Sequence, residues 1–204
     1  VHFAYGTMAV ERAFIGKVLG SKVSLSLRGY DITIFPILNP GIYDKVWPYV
    51  DKVHSISRDL LKAAYKQNMP ISISKEIIYP AIDVENFNST GYRKWNDKPH
   101  FLTVSRLHWK KGLEYTLQAL ALLDFDFRYT IIGEGADYER LVFAAYQLGI
   151  ADKVSFAGKK AQDEVKTAMQ NQDVYIQYSL QEGFCNSVLE AQAFGKPVLA
   201  ADDG

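Results

Sequence analysis

HFLTVSRLHWKKGLEYTLQALALLDFDFRYTII, residues 100–132, reads as one complete strand–helix–strand unit. His100–Ser105 and Arg128–Ile132 are short apolar runs suited to strands buried on both faces, and Leu113, Leu117, Leu120 and Ala121 form the apolar stripe of a helix between them. Gly112 stands where that helix opens. A strand, a helix and a second strand of this length make a crossover, and crossovers build parallel sheets. The pattern then continues outward: Lys153–Ala157, Val174–Tyr178 and Pro197–Ala200 read as further strands, and Leu141, Ala144, Ala145 and Leu148 stripe another helix, ended by Gly149. The second half of the chain is therefore expected to be a doubly wound α/β sheet. Such sheets bind ligands beyond the carboxyl ends of their strands, which selects the loops beginning at Ser105, Gly133, Gly158 and Ser179.

The first half alternates in the same way. Lys22–Leu27, Asp51–Ile56 and Lys75–Tyr79 read as strands, and Thr7–Leu19 and Ser57–Gln67 as helices, the second stopped by Asn68 and Pro70. The polar stretch NSTGYRKWNDKP, residues 88–99, carries neither period and marks a boundary. The expected organisation is one lobe over 1–90, a linker over 91–98 and a second lobe over 99–204.

Lys plus Arg equals Asp plus Glu at 23 each, so no general attraction to nucleic acid or to an anionic surface follows. Residues 1–98 carry 13 basic and 9 acidic side chains and residues 99–204 carry 10 and 14, an asymmetry that suits two lobes facing one another or ordinary surface variation. The more basic first half is where peripheral membrane contact would arise. The single cysteine, Cys185, excludes an intrachain disulfide and fits a reducing, cytoplasmic setting, with a small turn residue its expected role. The chain contains no apolar run of membrane-spanning length, starts at Val1 and reads as a fragment.

Chemistry concentrates in two loops. VSRLHWKKGLEYTL places Arg106 and Lys111 five residues apart ahead of a helix: an Arg fork and a Lys point charge are complementary holders of a diphosphate, although a solvated basic turn reads the same way. QEGFCNSVLEAQAFGKPVLA, residues 181–200, spaces Glu182 and Glu190 around a turn that opens a helix. Ser187 and Glu190 fit the S-x-x-E capping box, so the helix is expected to start near Ser187, with its free N–H groups pointing toward Gly183 and Phe184 as an anion site. Glu190 is then a cap, a ligand to a polyhydroxylated molecule, or both. GEGAD, residues 133–137, fails as a dinucleotide fingerprint because Tyr138 replaces the third glycine, so its glycines are assigned to a tight turn and a nicotinamide dehydrogenase is rejected.

In order along the chain, VSRLHWKKGLEYTL, IIGEG, LGIADKVSFAGKK and EGFCNSVLEAQAFGKPVLA resemble the C-terminal lobe of the retaining GT-B glycosyltransferases of family four, and RGYDI, VDKVHSISRDL and IIYPAIDVENF resemble the late part of that family's N-terminal lobe. The resemblance implies a GT-B-like fold of two Rossmann-like, doubly wound parallel-sheet lobes, both incomplete here. It implies transfer of a sugar, with retention of configuration, from a nucleotide diphosphate sugar to a glycan or lipid-linked acceptor in polysaccharide assembly. The nucleotide sugar would be a co-substrate, with no cofactor and no metal, because Arg106 and Lys111 would neutralise the departing diphosphate. Glu190 would hold the ribose, Glu182 with the main chain around Gly183, Phe184, Asn186 and Ser187 would lie at the donor sugar, and Gly158, Lys159 and Lys160 would line the base pocket. On the acceptor side the family carries a histidine before a Gly-x-Asp segment, where this chain has Arg28 before Gly29, Tyr30 and Asp31. Arg28 would pair with an anionic substrate group or with Asp31. A nucleotide-sugar epimerase of similar fold and a non-catalytic nucleotide-binding module are the alternatives, separated by donor conversion without acceptor and by binding without turnover.

Overall fold

The computed structural model describes residues 1–87 and 98–201. Two compact units divide the chain, Val1–Ala81 and Ile82–Asp203. The division falls ahead of the expected linker; of that linker, residues 91–97 lie outside the described residues.

In the first unit, four strands, β1 (His2–Phe3), β2 (Ser24–Leu27), β3 (Lys52–Ser55) and β4 (Ser74–Ile77), pair in parallel in sequence order. Instead of one helix over Thr7–Leu19 there are two short turns, α1 (Gly6–Ala9) and α2 (Ile15–Val18), because Val10 is extended and Glu11 is left-handed at φ 59°. Ala9, Ala13 and Gly16 remain buried across the break, so one buried side persists although the expected single helix does not. Two more short helices, α3 (Tyr30–Thr33) and α4 (Phe35–Leu38), follow β2. The expected second helix forms as α5 (Arg58–Lys66): Ser57 caps it by accepting the Leu60 N–H at 3.3 Å, and Leu60 and Ala64 face the core.

The second unit holds five parallel strands in the order β7-β6-β5-β8-β9: β5 (His100–Val104), β6 (Arg128–Ile132), β7 (Val154–Gly158), β8 (Val174–Gln177) and β9 (Val198–Ala200). Alternation along the strands makes two cores. Phe101, Tyr129, Ile131, Val174 and Ile176 pack with Leu113, Leu117 and Leu120 of α6 (Leu113–Ala121) and with Leu141 and Ala145 of α7 (Tyr138–Gln147). Leu102, Ile132 and Tyr175 face the other way, toward Met169 of α8 (Gln162–Asn171) and Ala191 of α9 (Asn186–Ala193). The sheet is thus covered on both faces, as its near-continuous apolar strands require. β7 and β9 depart from the expectation of full burial, since each pairs with one neighbour only and neither contains a fully buried residue. Strand order reverses between β5 and β8, whose loops leave the sheet on either side of that switch point. Among the described residues no helix is long and apolar enough to cross a membrane.

Candidate functional site

Three contacts strap the loop after β5 to the loop after β8. The Leu180 N–H donates to the Lys110 carbonyl at 2.7 Å. Gly112, left-handed at φ 58°, lies against the Tyr178 main chain so closely that a Cβ would fall 2.0 Å from its carbonyl oxygen. The Lys111 ammonium is ion-paired with Glu182 Oε1, and these side chains are only 15% and 20% exposed. Two residues 71 apart in sequence, each assigned to the donor site on separate grounds, therefore touch. Because the pair is largely shielded, it interacts more strongly than a surface bridge.

Arg106 sits at the other end of the same loop, exposed; its carbonyl accepts from the Ser105 hydroxyl at 3.3 Å, while no hydrogen bond or ion pair engages its guanidinium among the described residues. Its main chain is fixed from the β6 side. The Ser105 N–H donates to Ile132 O at 3.0 Å and the Leu107 N–H to Glu134 O at 2.9 Å. Gly133 and Gly135 are the residues that permit this approach: a Cβ on either would lie 1.8 Å from the Ser105 oxygen or 2.2 Å from the Leu107 oxygen. The glycines of GEGAD thus serve loop packing.

α9 begins at Asn186 with Cys185 as its N-cap, two residues earlier than the capping-box reading required, and no side chain caps it. Ser187 is inside the helix. Its hydroxyl lies 3.2 Å from Cys185 Sγ and also bonds the Tyr175 hydroxyl. Glu190 consequently is not a cap. It sits half-buried one turn into α9, where burial pushes its carboxyl pKa up against a smaller opposing pull from Lys166, and no hydrogen bond engages the carboxylate among the described residues. A half-desolvated carboxylate without a partner weakens the folded state in its charged form. Since its folded pKa lies above the unfolded value, that cost is absent at low pH and grows as pH rises through the two values. Glu190→Gln is therefore expected to raise the melting temperature at pH 7 by up to about 2 °C, small because the group is half open to solvent, with no gain below about pH 4. Melts of both proteins at the two pH values check this.

Gly183 is buried, and Phe184 is partly exposed at the turn before α9. Gly158 ends β7 in a left-handed conformation and accepts the Gly133 N–H at 2.9 Å. Lys159 and Lys160 next to it make exposed ion pairs with Glu134 at 3.7 Å and Glu164 at 3.1 Å. These residues all leave the carboxyl edge of the same sheet.

In the first unit, Arg28 and Asp31 part company. Asp31 is wholly buried, and its carboxylate accepts from the main-chain N–H groups of Gly6 at 2.9 Å, Arg28 at 3.0 Å and Gly29 at 2.7 Å. It organises the turn after β2 and presents nothing to solvent. Burial raises its pKa while these amides pull the other way. Arg28 is exposed; its Nε donates to the Ala4 carbonyl at 2.9 Å, and its guanidinium does not pair with Asp31.

One group escaped the sequence reading. Tyr175, fully buried on β8, accepts the Val104 N–H at 3.2 Å, lies 3.0 Å from Gln177 Oε1 and reaches Ser187, while Gln177 Nε2 donates to Ser179 Oγ at 2.8 Å. This chain ties the end of β5 to the start of α9. Its signal was present in Tyr175, Gln177 and Ser179, polar groups spaced by two along the strand and into its loop.

The family model for glycosyl transferases group 1 matches residues 85–204. The amylovoran biosynthesis glycosyltransferase AmsK of Erwinia amylovora is 28% identical over 99% of this chain and 52% of its own length. The N-acetylgalactosamine-N,N'-diacetylbacillosaminyl-diphospho-undecaprenol 4-alpha-N-acetylgalactosaminyltransferase of Campylobacter jejuni is 29% identical over 81% of this chain and 45% of its own. The chain spans about half the length of the curated relatives it matches. Among solved structures, Anabaena HepE in complex with UDP-glucose superposes with a TM-score of 0.80 at 20% identity, covering 98% of this chain and 59% of that one. The fold is accordingly that of the GT-B glycosyltransferases.

Proposed function

This chain belongs to the group 1 glycosyltransferases, and we propose that the intact protein moves a sugar from a nucleoside diphosphate donor to a glycan or lipid-linked acceptor with retention of anomeric configuration. The observation that carries the proposal is the strapping of two loops at the switch point, which gathers Lys111 and Glu182 beyond the carboxyl ends of β5 and β8 with Arg106 on the same β5 loop. Cations there meet the negative charge that grows on a departing diphosphate, where fixed charges act most strongly. The amides at the start of α9 add a positive end.

Within this reading Glu190 accepts from the ribose hydroxyls, the partner that its half-buried carboxylate lacks. Glu182 and the main chain of Gly183, Phe184 and Asn186 face the donor sugar, Ser187 steadies the helix start through Tyr175, and Gly158, Lys159 and Lys160 border the base. Arg28 is assigned to an anionic substrate group, because its terminal nitrogens carry no hydrogen bond among the described residues. The names of the relatives agree in kind: polysaccharide assembly for AmsK, a diphospho-undecaprenol substrate for the Campylobacter enzyme, and UDP-glucose bound to HepE.

A panel of nucleotide sugars added to the full-length protein tests the proposal. A donor at 100 times its Kd stabilises the native state by about 2.7 kcal/mol, a shift of several degrees. One base and sugar class is expected to give that shift, and its product with acceptor to retain the anomeric configuration by NMR. No shift with any donor, or donor isomerisation without acceptor, would count against a transferase.

A further inference from the structure

We propose that Glu182 is a positioning residue that holds Lys111 back from the nucleoside diphosphate, so that product binds less tightly than the site's cations would otherwise allow. The inference rests on the donor-site reading above. It starts from the contrast between two cations of one loop: the Arg106 guanidinium is exposed with no hydrogen bond or ion pair among the described residues, whereas Lys111 already has a carboxylate partner in a largely shielded setting.

Before any ligand arrives, the Lys111–Glu182 pair is neutral as a unit. An incoming diphosphate meets Arg106, whose guanidinium is unpaired among the described residues, and Lys111, whose charge is already matched. To use Lys111 fully, the ligand must compete with Glu182, whose own charge repels it. In the course of transfer, negative charge builds on the leaving oxygen, and the ammonium turns toward it as the attraction overtakes that of the carboxylate. An interaction stronger at that stage than in the bound ground state accelerates turnover, while one equally strong in both only tightens substrate and product. Glu182 thus keeps Lys111 from being spent on binding. The strapping of the two loops fixes the main chains that carry the pair: the Leu180–Lys110 hydrogen bond and the Gly112–Tyr178 contact keep the two loops adjacent, and the ammonium swings on its own side chain.

The charge count makes the sign testable with UDP, which lacks the sugar that Glu182 would otherwise touch. In the full-length protein, Glu182→Gln leaves a free cation and is expected to tighten UDP about tenfold, Lys111→Gln leaves a free carboxylate and is expected to weaken it about tenfold, and the double variant returns near wild type. Product inhibition by UDP should deepen and kcat fall in Glu182→Gln, as release becomes slower. If UDP affinity is unchanged in Glu182→Gln while the double variant matches Lys111→Gln, the carboxylate serves the sugar alone and the restraint does not exist. If neither Lys111→Gln nor Arg106→Ala alters UDP affinity, the donor-site reading itself fails. Should Glu182→Gln not fold, Glu182→Asp withdraws the carboxylate by one methylene and is expected to tighten UDP with the same sign, and unchanged affinity there overturns the proposal.

Discussion

Lys111→Ala in the full-length enzyme is expected to lower kcat by about 10²–10³-fold, the usual loss when one preorganised stabiliser of developing charge is removed. UDP affinity should fall far less, by about tenfold, because the wild-type ammonium is shared with Glu182 in the ground state. Two effects compete in reading this variant. Truncation leaves the Glu182 carboxylate, 20% exposed, without its partner, and breaking such a pair costs stability as well as catalysis. A melting curve separates them: if the protein remains folded at the assay temperature, the drop in kcat belongs to the reaction. Arg106→Ala provides the comparison, since an exposed and unpaired Arg contributes to capture of the donor and to its salt dependence more than to the chemical step. A Lys111→Ala enzyme turning over within threefold of wild type would remove Lys111 from leaving-group stabilisation.

The sheet of the second unit was readable because its strands alternate between two apolar cores and its helices carry one apolar stripe each, so periodicity alone placed Leu113, Leu117, Leu120, Leu141 and Ala145 in the core. The same logic failed where local geometry decided. Val10 and Glu11 break a run whose buried side is nevertheless periodic, since spacing reports burial and is silent on a single residue's φ. Ser187 and Glu190 matched a capping box in letters, yet α9 starts at Asn186, and the Ser187 hydroxyl is drawn to Cys185 and Tyr175. The site was legible as a set of loops through the rule for doubly wound sheets, and as chemistry through the carboxylates and cations on them. What no one-dimensional reading supplied is the ion pair across 71 residues, which follows from β5 and β8 being neighbours in the sheet, and the burial of Asp31, whose carboxylate collects main-chain amides from two separate segments.

Gly133→Ala carries the largest expected stability effect, about 4–5 kcal/mol, at the upper end of single substitutions. The residue lies at φ 143°, which L side chains rarely adopt and which by itself costs about 1–3 kcal/mol. A Cβ there would also fall 1.8 Å from the Ser105 carbonyl oxygen and 2.9 Å from its carbon, and main chain cannot swing aside as a flexible side chain does. The loops must separate, straining the Ser105–Ile132 and Leu107–Glu134 hydrogen bonds that flank the contact. Arg106 lies between those two bonded residues, so protein that still folds should also lose donor affinity. Gly149→Ala isolates the backbone component: Gly149 is likewise left-handed, at φ 70°, but nothing stands within 4 Å of its Cβ position, and its cost should be about 1 kcal/mol. Denaturant unfolding of the two variants measures the difference. Equal losses would mean that the β5 and β6 loops can move apart freely, and the claim that Gly133 sets the position of Arg106 would have to be abandoned.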